Sequence, residues 1–346
     1  MKHLFYIHSN ITYLLSKAII QYHEIIDKDI VIIKNRGVTL SIDDMNKYPV
    51  NSISDLPSLD NHLNFLKSWS KLIQYEEFIR KAVNNEKYFI YVPLTMLRGI
   101  QILINNRNCE GFSIIEEGTD SYLLQDKLLE QHPTRKIKIT EKIGYLGKVK
   151  NNYYIQGDYK NVYGINKKSF PDYKRKITLN NVFDFNSSYS NNSYDHILIL
   201  DAVSVYGDIK LEDHLYSIEK TMRYLMDRKI KKIFYKYHPA QFGTIEIDRF
   251  EKLFFKFKDQ ISLVKIPNDI IIEELLINNK KITFYVNVSS LGMYAKEFGH
   301  NVYSFANFII EKCPAYKKIF EIYPEYYIDN IQYLNMDDNI GINNSN

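Results

Sequence analysis

His196-Ile197-Leu198-Ile199-Leu200 is a near-continuous apolar run, and Lys232-Ile233-Phe234-Tyr235-Lys236-Tyr237 is another, separated from the first by an amphipathic stretch, Leu211–Arg228. Strands apolar on both faces are buried on both, and a helix-length connection between two of them makes them parallel neighbours. The same alternation continues outward in both directions. Towards the C-terminus it runs through Ile261–Lys265, Ile282–Val286 and Val302–Phe305, with helical patterns over Asp269–Ile277 and Met293–Phe298. Towards the N-terminus the strands are Leu4–Ile7, Ile30–Ile33, Tyr88–Val92 and Phe112–Ile115. Tyr13–Ile25, Leu59–Ala82 and Ser121–Leu129 lie among them with apolar residues three and four apart. This pattern predicts an α/β fold in which helices cover both faces of parallel sheets.

The alternation comes in two sets. Between about residues 150 and 195 helical patterns are scarce, Tyr153–Tyr163 reads as antiparallel, and Asn186-Ser187-Ser188-Tyr189-Ser190-Asn191-Asn192-Ser193 is a polar run. A chain of 346 residues suits two α/β domains, and the expected division is residues 1–175 and 176–346, each Rossmann-like. Hydrophobic residues at 45% and charged residues at 25% are enough for two buried cores. Only the tail from Gly341 to Asn346 reads as too polar to pack.

Composition also excludes several functions. With 45 basic against 41 acidic residues, interspersed, the chain lacks the dense basic stripe of a nucleic-acid binder. Arg135-Lys136-Ile137-Lys138 and Lys229-Ile230-Lys231-Lys232 read as solvated faces that an anionic membrane surface can also attract. The two cysteines, Cys109 and Cys313, have no metal-ligand spacing and suit a reducing compartment. Met1 to Ile11 carries His3 and His8 and no cleavage pattern, and no apolar run approaches a membrane span. The expectation is a cytoplasmic protein, peripheral at most to the inner face of the membrane.

Three strand ends carry chemistry. Ile114-Ile115-Glu116-Glu117-Gly118-Thr119 puts two carboxylates and a glycine where a parallel strand meets the ligand crevice. One acid there can act as a general base, or both can complement the dipole of a following helix. Phe234-Tyr235-Lys236-Tyr237-His238-Pro239 runs a strand directly into a histidine followed by a fixed-φ proline. His132-Pro133 repeats the dipeptide after a helical pattern, and the other histidines read as packing or surface residues. Val286-Asn287-Val288-Ser289-Ser290-Leu291-Gly292 ends a strand in hydroxyl residues that open a helix, which is either a phosphate site or a plain N-cap. Upstream, Glu273 and Glu274 follow the turn at Pro267, placed for ribose hydroxyls or for the surface. Asp27-Lys28-Asp29 reads as a polar turn and not as a metal motif.

In this order the motifs resemble those of the bacterial sialyltransferases, which share a D/E-D/E-G motif, an HP motif and a paired-serine motif over a region matching residues 112 to 300. The resemblance implies the GT-B fold, two Rossmann-like domains whose parallel sheets face a central cleft. The N-terminal domain would bind the acceptor and the C-terminal domain the CMP donor. It implies an inverting transfer of sialic acid from CMP-sialic acid to a glycan hydroxyl in cell-surface polysaccharide synthesis, with no metal or other cofactor. The acceptor would be a galactose- or sialic acid-terminated glycan such as lipooligosaccharide, O-antigen or capsule. Carried across, Glu117 of Glu116-Glu117-Gly118 is the base and His238 of His238-Pro239 the acid facing the departing phosphate. Ser289 and Ser290 bind that phosphate, and Glu273, or its neighbour Glu274, holds the ribose. Glu116, Gly118 and Pro239 complete the substrate-contacting set. A transferase using CMP-Kdo or another nucleotide sugar, a sugar epimerase of similar fold, and a non-catalytic carbohydrate-binding or assembly module are the rival readings.

Overall fold

The computed structural model describes residues 1–35, 38, 40–59, 65–131, 137–150, 158–179, 194–268, 270–276, 281–329 and 331–336. The chain divides into two compact units, Met1–Phe185 and Asn186–Asn346. The first is built on seven strands: β1 Lys2–Ile7, β2 Ile30–Lys34, β3 Val50–Ser52, β4 Tyr88–Val92, β5 Cys109–Ile115, β6 Val162–Gly164 and β7 Lys176–Thr178. They form one sheet in the order β3-β2-β1-β4-β5-β6-β7, with every pair parallel. Six strands make the second sheet: β8 His196–Leu200, β9 Lys232–Tyr237, β10 Ser262–Lys265, β11 Thr283–Val286, β12 Asn301–Ser304 and β13 Gln332–Tyr333. Their order is β10-β9-β8-β11-β12-β13, again all parallel. Both orders read three-two-one-four-five-six from the first strand of the unit, the Rossmann order, and reverse direction between β1 and β4 and between β8 and β11. Two such domains define the GT-B fold.

Periodicity located the central strands because these are buried on both faces. Leu4, Ile33, Ile90 and Val92 are fully or almost fully buried in the first core, and Leu198, Leu200, Ile233 and Phe284 in the second unit. Several boundaries differ from expectation. The helix expected over Tyr13–Ile25 spans Asn10–Tyr22, because Ser9 and Thr12 form a reciprocal capping box that starts it early. The helix expected over Ser121–Leu129 is instead a 3-10 turn, Thr119–Tyr122, and a separate helix, Gln125–Gln131. The antiparallel reading of Tyr153–Tyr163 is wrong where described: Val162 and Tyr163 pair in parallel with β5. The first unit also extends past residue 175, since Lys176–Thr178 supplies its last strand. The polar run 186–193, the tail 341–346 and His132-Pro133 lie outside the described residues. No helix among the described residues is long and apolar enough to cross a membrane.

Ile90 is fully buried on β4 and Ile245 is 68% exposed on the helix Ile245–Phe255. Ile90→Ala should lower unfolding free energy by about 2–5 kcal/mol through lost burial and the cavity left behind. Ile245→Ala should stay within about 0.5 kcal/mol. Urea denaturation of both variants checks this.

Candidate functional site

Parallel strands joined by crossover helices deliver all their carboxyl ends to one edge of the sheet. In the first unit that edge carries His8 after β1, Pro93 to Thr95 after β4, and Glu116 to Gly118 after β5. The two adjacent acids part company there. Glu116 is fully buried: its Oε1 accepts from the Tyr122 hydroxyl at 2.5 Å and its Oε2 from the Ile165 N–H at 2.8 Å. It ties the end of β5 to the chain leaving β6. Glu117 points the other way, into a crevice of about 30 Å³ shared with Leu94, Thr95, Asp120 and Tyr173. The Glu117 N–H donates to Ser121 Oγ at 3.2 Å. Gly118 adopts φ 157° and ψ −152°, a conformation essentially restricted to glycine, which lets the chain turn straight after the acids.

Glu117 has a partner that the sequence reading assigned to packing. His8 Nδ1 lies 3.4 Å from Glu117 Oε2. The hydrogen bond to Glu117 raises the His8 pKa, against the opposing effect of its partial burial. His8 is held in place because its own N–H donates to Thr12 Oγ1 at 3.0 Å, the hydroxyl that also accepts from Ser9 N–H in the capping box. A clue was present: His8 follows a buried strand directly and precedes a Ser-x-x-Thr helix start, a strand-end placement like that of His238.

In the second unit the carboxyl edge gathers Asp201 after β8, His238 after β9, Glu273 and Glu274 after β10, and Ser289 and Ser290 after β11. The Tyr206 ring stands edge-on to the His238 ring, which is held at Nδ1. Its Nδ1 accepts from the Ala240 N–H at 3.1 Å, so the ring proton sits on Nε2. Burial lowers the His238 pKa. A proton added at Nδ1 would face the Ala240 N–H, so the ring is kept as a neutral donor. Gln241 fixes the turn by accepting from the His238 N–H at 2.9 Å and donating to the Asp201 carbonyl at 3.3 Å. Pro239 is the exposed first residue of that short 3-10 turn.

Ser289 is the N-cap of the helix Ser290–Glu297, its Oγ accepting from Gly292 N–H at 3.3 Å. A Cβ at Gly292 would come within 2.4 Å of the Tyr327 hydroxyl and 2.9 Å of Val286 Cγ2, so only glycine lets this helix start so close to the sheet. Glu273 and Glu274 share a single helical turn, Ile272–Leu275. The loop before it is anchored by Lys236, whose Nζ donates to the carbonyls of Pro267 and Ile270. Lys236 and His238 lie two apart along the same chain direction, which keeps that turn beside the histidine's strand. Asp201, which the sequence reading passed over, accepts the Asn287 N–H on Oδ2 at 3.1 Å.

A cavity of about 380 Å³ lies elsewhere: His3, His23, Tyr91, Lys160 and Tyr163 line it, nearer the amino ends of the first sheet's strands, and it contains none of the candidate residues. Asp27–Asp29 forms a 3-10 turn before β2. Among the described residues no three His, Cys, Asp or Glu side chains group as a metal site.

The sheets and their strand orders define a GT-B protein. No protein-family model matches the chain, and no curated protein does. Among solved structures it is similar to a protein assigned as a UDP-N-acetylglucosamine 2-epimerase from Listeria monocytogenes, at 9% identity and TM-score 0.52, over 95% of this chain and 88% of that one. It is also similar to a Photobacterium 2,6-sialyltransferase solved with CMP and lactose, at 10% identity and TM-score 0.49, over 96% of this chain and 78% of that one. MurG from Acinetobacter baumannii follows at 8% identity and TM-score 0.40, over 96% of both chains. The likeness to the Listeria protein, at 9% identity, is one of fold.

Two measurements separate the adjacent acids. Glu116→Gln should cost about 1–3 kcal/mol of stability, because an amide cannot accept on both oxygens of a buried site. Above the folded His8 pKa, Glu117→Gln should leave the denaturation midpoint nearly unchanged. By NMR titration the His8 pKa should lie above its ordinary value and fall back in Glu117→Gln. The stability this pair contributes is therefore present below pH 6.5 and lost as pH rises through the folded His8 pKa.

Proposed function

We propose that the chain is an inverting sialyltransferase that uses CMP-sialic acid and a glycan acceptor. The observation that carries this reading is the carboxyl edge of the second sheet. There a neutral His238 with its ring proton on Nε2 shares the edge with a serine-capped helix N-terminus. Histidine N–H, serine hydroxyls and free helix N–H groups are a donor set for one phosphate. A donor with a single phosphate, such as a CMP-sugar, is matched to such a set without added metal charge.

The chemistry follows from the residues. The acceptor oxygen attacks the anomeric carbon of sialic acid while the bond from that carbon to the phosphate oxygen breaks, its electron pair leaving with CMP. Glu117 takes the proton that the acceptor hydroxyl loses, and His8 holds the carboxylate in position. Departing CMP is a phosphate monoester whose second pKa is about 6, so at neutral pH it leaves without a proton. His238 accordingly acts as a hydrogen-bond donor to the leaving oxygen, a change from the acid role implied by the family resemblance. Ser289 and Ser290 complete the phosphate site, Glu273 or Glu274 takes the ribose hydroxyls, and the acceptor belongs to the first unit.

CMP should raise the melting temperature in the presence of EDTA, with about 2.7 kcal/mol of stabilisation at a hundredfold excess over Kd. Equal protection by UDP would overturn the donor assignment. His238→Ala should lower transfer to a lactoside by about 10² to 10³, the loss typical of one transition-state hydrogen-bond donor. Glu117→Gln should lower transfer by about 10² or more while leaving CMP affinity near wild type. A Glu117→Gln variant that transfers normally would remove the base from this mechanism.

A further inference from the structure

Asp201 sits where the strand order of the second sheet reverses. It follows β8, and its carboxylate accepts from the first backbone N–H beyond β11, that of Asn287, so it bridges the crevice in which doubly wound sheets bind ligands. Its segment is fixed from the other side as well: the Leu200 carbonyl accepts from His238 N–H at 3.1 Å, and Gln241 donates to the Asp201 carbonyl. Ser289 is only two residues past Asn287, which puts the serine-capped helix start within about 7 Å of chain from that anchor. The buried Tyr327 hydroxyl joins the two, since it lies beside the Ser289 backbone and in the field of the Asp201 carboxyl.

We propose that Asp201 is a further donor-binding residue, and that phosphate occupies this edge only while the Asp201 carboxyl carries a proton, so that binding takes up a proton. The proposal rests on the phosphate reading of Ser289 and Ser290 given above. The groups facing Asp201 are Tyr316 and Tyr327 from the C-terminal segments and the Asn287 backbone; Asp208 acts on the same Tyr316, and His238 stands at the neighbouring strand end with its N–H on the Leu200 carbonyl. His238 is held neutral, and the tyrosines are pushed further from ionising by burial and by Asp201 itself. Neither supplies a cation. Burial pushes the Asp201 carboxyl up to about 7, with only the Asn287 N–H opposing. The Asn287 Oδ1, fully buried, has no hydrogen-bond partner among the described residues, while its Nδ2 donates to the Tyr316 hydroxyl. An ionised Asp201 would repel a bound phosphate. Protonated, it offers the phosphate or Asn287 Oδ1 an O–H donor.

The sign is fixed by linkage: if the complex holds a proton that the free protein has lost, CMP affinity falls by about tenfold per pH unit above the free pKa. CMP titrates near pH 6, and its dianion binds better, which is the opposite trend and is complete by about pH 7.5. His238, lowered from its usual value, has also finished titrating there. The window from pH 7.5 to 8.5 therefore reports Asp201.

The experiment is calorimetric titration of the full chain with CMP at pH 7.5 and 8.5, in two buffers of different ionisation enthalpy. Wild type should take up close to one proton at pH 8.5 and lose several-fold to about tenfold in affinity across the window. Asp201→Asn keeps an oxygen for the Asn287 N–H and should take up none, with affinity changing less than about twofold. Cytidine, which has no phosphate, should bind both proteins without pH dependence. CMP binding that is flat across the window with no proton uptake overturns the Asp201 proposal and leaves the donor reading standing. The same slope in Asp201→Asn overturns it likewise. A failure of CMP to bind at any pH overturns the donor reading and this proposal together. A wild-type proton count of zero overturns the proposal even if the variant does not fold.

Discussion

Every candidate residue in this chain depends on one constraint: its strands run parallel. A parallel pair cannot be closed by a hairpin, so the chain must cross back over the sheet, here mostly through helices, before it can add another strand. The carboxyl ends of the strands then share one edge, where the backbone leaves the ladder and the next helix begins. At that edge the buried core stops and polar groups are tolerated. Leu200 and Val286 are fully buried, yet Asp201 and Ser289, one and three residues further on, are partly exposed. The apolar strands supply stability, and their ends inherit a rigid mount for chemistry.

The two edges handle protons differently. On the first, Glu117 is a carboxylate bonded to a histidine whose proton affinity it raises, an arrangement suited to receiving a proton. On the second, His238 is held neutral by a backbone N–H and Asp201 is pushed towards its neutral form by burial. Both then present donors without carrying charge, and the helix N-terminus adds its partial positive field. That environment suits the anionic donor proposed for it. The contrast arises from backbone geometry: an N–H pointed at His238 Nδ1 forbids the proton that a carboxylate beside His8 Nδ1 attracts.

Adjacent residues with the same chemistry take different roles for a similar reason. Glu116 and Glu117 sit at the end of a strand, where successive side chains point to opposite faces. One therefore goes into the interface between β5 and the chain beyond β6, and the other into the crevice. Ser289 and Ser290 divide similarly into the residue that caps the helix and the residue that begins it. Glycine is required at Gly292 because the helix meets Tyr327 there at closer range than any Cβ permits.

The α/β class and its central strands were legible in the amino-acid sequence, because burial on both faces demands continuous apolar runs such as His196–Leu200 and Tyr88–Val92. So were the strand-end motifs around Glu117, His238 and Ser289, since a strand pattern breaking into polar residues marks the edge by itself. The short outer strands β3, β7 and β13 were not, because two or three residues at a sheet margin carry little periodicity. Nor were His8 and Asp201, although both follow apolar strands directly. Their chemistry comes from partners far along the chain: Glu117 for His8, and Asn287 for Asp201. Local sequence sets which residues stand at a strand's end, because burial and turn chemistry act over a few residues. Only the tertiary structure decides which of them meet, since the order of parallel strands in a sheet brings together residues as far apart as Asp201 and Asn287 or His8 and Glu117 and leaves Glu116 and Glu117, side by side in the chain, on opposite sides of a wall.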